Sequence, residues 1–190
     1  MNLIEAVESA VFKKYASFKG RAPRSEFWYF ILFQAILTFF VLVVVGMASL
    51  SLIDEAWVKD LMAYVKADGK NNTNFAMKFA IQSEFGQRAV LANFLVNLLL
   101  FVPSFSVTVR RLQDLDISYY WAFPALIMSI VGLYYDYFPL EAFESFAARI
   151  GGLFALIGIV YILVFIRRGT RADNRFGDDP LEIEDFEDTY

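Results

Sequence analysis

Four apolar runs, Phe27 to Ile53, Ala89 to Val109, Tyr119 to Tyr137 and Ile150 to Ile166, alternate with stretches that hold the chain's Lys and Arg. No Lys or Arg interrupts any of them. A helix needs about 20 apolar residues to cross roughly 30 Å of hydrocarbon, where an exposed backbone donor or acceptor finds no water. The pattern predicts an all-α integral membrane protein with four transmembrane helices in a bundle. Ahead of the first run, Leu3, Ile4, Val7, Val11, Tyr15 and Phe18 share one helical arc and Glu5, Ser9 and Lys13 the other. That spacing predicts an N-terminal amphipathic helix, either in the headgroup layer or packed on the rest of the protein. Residues 1–176 then form the membrane domain, residues 54–88 an outer loop, and residues 177–190 an acidic, disordered tail. Within the loop, Trp57, Leu61, Tyr64 and Val65 predict a short amphipathic helix and Ala67 to Asn74 a turn.

Charge sets the orientation. Eleven Lys and Arg flank the first run on its N-terminal side, link runs two and three, or follow run four; six lie in the 54–88 loop or at Arg149. Basic residues mark the cytoplasmic side, so both termini are expected there. The net charge of −4 hides this asymmetry, because eight of the 21 acids follow Thr170. Nucleic acid is therefore not an expected partner. With no Cys and no His, thiol nucleophiles, His bases and the usual metal and haem ligands are missing, and no cofactor or metal is expected. The start MNLIEAVES lacks the basic and short apolar regions of a cleaved signal peptide. Walker loops and nucleophile elbows are also missing, so nothing points to catalysis.

Two polar constellations remain. In run two, Asn93, Asn97, Ser104 and Thr108 fall within a sector of about 60°, with Gln34 and Thr38 of run one as possible partners. Such a stripe faces either a water-filled pathway or neighbouring helices, and Pro103 within it predicts a kink. In run four, Ala147, Gly151, Ala155 and Gly158 line a face suited to close packing, within the bundle or between copies. The second constellation gathers at the expected cytoplasmic interface: Arg21, Arg24 and Glu26 before run one, Arg110, Arg111 and Asp114 after run two, and Asn174, Arg175 and Asp179 after run four. These Arg and acid groups are expected to pair in a polar layer, with spare guanidinium forks for anionic lipid headgroups. The bland alternative is that they only set topology.

The layer's three stretches read GRAPRSEFW from Gly20 to Trp28, RRLQD from Arg110 to Asp114, and NRFG from Asn174 to Gly177. In this order, placed around four apolar runs, they resemble the YhaH-like bacterial inner-membrane family, a domain of unknown function. That family's marks are G-R-A-x-R-x-E-[FY]-W, R-R-L-H-D and N-R-[FY]-G. The resemblance covers nearly the whole chain and implies an inner-membrane helical bundle; it brings no activity, ligand or catalytic residue. Gln113 stands where the family has His, and DISYYW from Asp116 replaces its glycine-containing turn. The expected function is a non-enzymatic membrane protein whose polar layer binds anionic lipids or a protein partner. The alternative is an oligomeric transporter or channel that uses the run-two stripe.

Overall fold

The computed structural model describes residues 1–49, 58, 59, 62, 63, 66, 84–137 and 141–181. The amphipathic helix and turn expected between Trp57 and Asn74 lie largely outside those residues, as does the tail beyond Leu181. Among the described residues the chain is helical, without strands. Its main elements are α1 (Leu3–Val7), α2 (Arg24–Ser49), α3 (Glu84–Asp114), α4 (Phe123–Tyr137) and α5 (Glu141–Ile166). They divide between two compact units, Met1–Ala35 with Leu98–Tyr190, and Ile36–Asn97.

Local chemistry explains where the helices start and stop. Asn2 and Glu5 form a reciprocal capping box on α1, each side chain accepting from the other's backbone N–H at 2.9 Å. α1 passes into a π-helical turn, Glu8–Lys13. The helical pattern thus stops five residues short of Phe18. Its buried face is Ala6, Ser9 and Ala10, while Ile4 and Phe12 are exposed. Ser9, expected on the polar arc, is buried because its hydroxyl donates to Glu26 Oε1 at 3.0 Å. Pro23, which has no N–H to lose, immediately precedes α2, and its carbonyl accepts from Phe27 N–H at 3.2 Å. α3 continues through Pro103 and stops where Asp116 turns left-handed at φ 56° and Ile117 N–H returns to Leu112 O at 2.9 Å. Asp tolerates that conformation better than most side chains, which accounts for a turn here without glycine. A 3-10 turn, Tyr119–Ala122, leads into α4.

In the first unit, Phe27 and Phe30 of α2 pack with Val107, Val109 and Leu112 of α3 and Phe165 of α5. The Phe27 and Phe165 rings meet edge to face at 4.6 Å. Outside this core the surface is apolar: Phe39, Phe40, Met47, Leu99, Leu156 and Leu163 each leave 62–70% of their surface exposed. So much exposed apolar surface is costly in water and costs nothing against acyl chains. Two stretches, Arg24–Ala48 and Gln87–Asp114, are long and apolar enough to cross a membrane; Tyr119–Leu133 and Gly151–Ile166 are shorter. On α5, a Cβ added at Gly151 or Gly158 meets nothing within 4 Å. At these two positions no close helix approach of the kind small residues permit is made among the described residues.

Candidate functional site

Where α2 begins and α3 and α5 end, six charged side chains are buried together: Arg21, Arg110, Arg111, Glu26, Asp114 and Asp179. Three cations face three anions, so the buried set is formally neutral. That balance is what makes burial affordable, since an unpaired charge held away from water costs several kcal/mol.

Arg111 joins three segments. Its Nη1 donates to Asp114 Oδ2 at 2.5 Å and lies 3.5 Å from Ala22 O. Its Nη2 donates to Phe165 O at 2.9 Å and to Arg167 O. The last carbonyls of a helix have no partner within it, and a cation there also opposes the negative end of the helix dipole. Arg111 therefore caps α5 from α3, and Arg24 Nη1 assists at Ile166 O, 3.3 Å away.

Arg21 organises the chain after α5. Its Nε donates to Asp114 Oδ1 at 3.1 Å, its Nη1 to Ala172 O at 2.8 Å, and its Nη2 to Thr170 O. Asp179 Oδ1 stands 3.9 Å from the same Nη2, and Asp179 Oδ2 accepts from Ala172 N–H at 3.1 Å. Backbone bonds reinforce the convergence: Ala22 N–H to Arg110 O at 3.1 Å, and Thr170 N–H to Asp114 O at 2.9 Å. Asn174 Nδ2 donates to Gln113 O and to Thr170 Oγ1, both at 2.9 Å. Asn174 and Gly177 also exchange two backbone bonds of 3.1 Å. Gly177 closes that turn at φ 140°, a conformation that other residues rarely adopt.

The sequence of residues 15–178 matches the family described as "Protein of unknown function (DUF805)". The chain belongs to this family. Inner membrane protein YhaH of Escherichia coli K12, and the protein of the same name in E. coli O157:H7, are each 28% identical to it over 171 residues. Those residues cover 90% of this chain and 92% of each relative. No solved structure matches. The inner-membrane relatives and the apolar helices together support a membrane location for this DUF805 chain.

In this DUF805 chain the three motif stretches build the layer itself. Arg110 and Glu26 form a pair at 2.6 Å, with Ser9 on the same carboxylate oxygen. This pair is less fully satisfied than Arg111 and Asp114: Arg110 Nε and Nη2 and Glu26 Oε2 are buried without a hydrogen-bond partner. Two expected members stand apart. Arg24 is exposed, and Arg175 pairs at the surface with Asp116 at 2.9 Å while covering the Phe176 ring. Gln113, in the histidine position, donates to Phe18 O at 3.0 Å.

The polar stripe divides between the two units. In the first, Ser104 Oγ donates to Gln34 Oε1 at 3.1 Å, and Thr108 Oγ1 to Ser104 O at 2.8 Å. In the second, Thr38, Asn93 and Asn97 are half-buried. Sequence reasoning missed Ser9 and Thr170 in the layer, and also Gly169, whose backbone abuts Asp114. A glycine directly after the Arg167–Arg168 pair was the available sign of that close approach. Among the described residues, no cluster of three or more acidic side chains that could hold a metal occurs.

Proposed function

We propose that this is a non-enzymatic, multi-pass inner-membrane protein whose apolar runs form a four-helix bundle with both termini in the cytoplasm. The buried charge layer fixes the helix ends and holds a set of exposed arginines against anionic lipid headgroups. One observation carries the reading: the division of the arginines. Arg21, Arg110 and Arg111 are buried with acids, whereas Arg24, Arg167, Arg168 and Arg171 are exposed and none pairs with a carboxylate among the described residues. A neutral core ringed by guanidinium groups that have no carboxylate partner among the described residues matches the negative potential of the cytoplasmic leaflet, where each basic residue contributes about 1 kcal/mol of attraction. The alternative of a solute pathway along α3 loses support from Ser104 and Thr108, whose hydrogen bonds go to Gln34 and to their own helix.

Because the chain has no cysteine, single introduced thiols report topology cleanly. An impermeant reagent applied to intact cells is expected to label Lys70→Cys and to spare Asp185→Cys. Native mass spectrometry after gentle extraction is expected to retain phosphatidylglycerol over phosphatidylethanolamine. The opposite labelling pattern overturns the orientation. An acidic protein retained in place of lipid moves the reading from lipid to partner.

A further inference from the structure

A cavity of about 310 Å³ opens beside the layer, between the start of α2 and the turn after α5. Its walls include Arg24, Ser25, Arg168 and Arg171, and Asp114 and Asp179 also line it. Both acids are already engaged by buried arginines, Asp114 by Arg21 and Arg111 and Asp179 by Arg21. Counting the lining charges with these salt-bridge partners gives five arginines against two carboxylates, a surplus of three positive charges. The three wall arginines have no carboxylate partner among the described residues. We propose that this cavity is a binding site for a phosphate-class oxyanion, which deepens the lipid reading by assigning headgroup recognition to one pocket.

The chemistry fits that ligand better than a carboxylate or a neutral solute. Guanidinium forks pair bidentately with phosphate oxygens, and three of them around one cavity match a tetrahedral group with several acceptors. Ser25, in the first turn of α2, also lines the cavity and carries a hydroxyl able to donate to a phosphate oxygen. At about 310 Å³ the cavity lies at the small end of the roughly 300–1,000 Å³ typical of ligand sites, a size that suits a phosphate with its glycerol. The source is either a phospholipid headgroup or free phosphate.

The test uses purified full-length protein in non-ionic detergent, and follows melting temperature during titration with dihexanoyl phosphatidylglycerol, dihexanoyl phosphatidylcholine or inorganic phosphate. Arg168→Gln with Arg171→Gln removes two wall cations that the buried layer does not use, and Arg175→Gln serves as a surface control. Phosphatidylglycerol is expected to stabilise the protein, with a midpoint about thirtyfold higher in the double variant and unchanged in the control. The same loss seen with inorganic phosphate, and no lipid effect, upholds the cavity with a soluble ligand and removes the headgroup reading. Phosphatidylglycerol binding that is unaltered in the double variant overturns the cavity and leaves lipid binding elsewhere. No stabilisation by either anion overturns both.

Discussion

Arg111→Ala is expected to destabilise the protein by about 3–5 kcal/mol, the range for removing one partner of a buried ion pair. Arg111 is fully buried, and its loss takes away the donor at Asp114 Oδ2 together with the caps on Phe165 O and Arg167 O at the end of α5. Asp114 would keep only Arg21, and buried carbonyls would lose their donors. Arg111→Lys is expected to rescue little, since a point charge cannot reach a carboxylate and two carbonyls with the geometry of a planar fork. Arg175→Ala provides the contrast. Its pair with Asp116 is largely exposed, so truncation should cost about 0.5 kcal/mol or less. Thermal melts of both variants in one detergent separate the buried layer from a set of arginines that act only as topology signals; equal, small losses would favour the latter.

Gly169→Ala is expected to cost about 1–3 kcal/mol, as overpacking commonly does. A Cβ at this position would overlap Asp114 Oδ2 and lie 2.6 Å from its Cγ. A free carboxylate would swing aside. Asp114 cannot, because Arg21 and Arg111 hold its two oxygens at 3.1 and 2.5 Å. Any movement that relieves the overlap therefore breaks the layer. Gly158→Ala should have the opposite sign: it meets nothing within 4 Å, and alanine in a helix interior is favoured over glycine by about 0.5–1 kcal/mol. Melting temperatures of the two variants give the comparison directly, and a stable Gly169→Ala would show that Asp114 is free to move.

The helices were legible because hydrocarbon imposes length and apolarity on any segment that enters it; Arg24–Ala48 and Gln87–Asp114 show both, whereas Tyr119–Leu133 and Gly151–Ile166 are apolar but shorter. Convergence of GRAPRSEFW, RRLQD and NRFG was legible from their common position at the run ends. What could not be read was how individual arginines divide their work. Arg110 and Arg111 are neighbours in sequence, yet one meets Glu26 on α2 and the other caps α5. That division depends on which face of α3 each occupies and on how α2 and α5 cross it. Ser9 was misplaced for a related reason. Its polarity suggested an outward position, whereas a buried carboxylate nearby made burial the better outcome. Gly169 shows a third kind of gap, because a glycine's role rests on what approaches it, here a side chain 55 positions earlier.

Arg and acid groups from distant stretches are locked together away from water at the helix ends. A double-mutant cycle across Arg110 and Glu26, 84 positions apart and 2.6 Å from contact atom to contact atom, tests that most directly. Arg110→Met and Glu26→Leu each strand a buried charge, while the double variant removes both and leaves apolar groups of similar size. Measured by titration with a denaturing detergent, each single variant is predicted to lose several times more stability than the double, with a coupling well above about 1 kcal/mol. Single effects that add to within about 0.5 kcal/mol would contradict the buried layer.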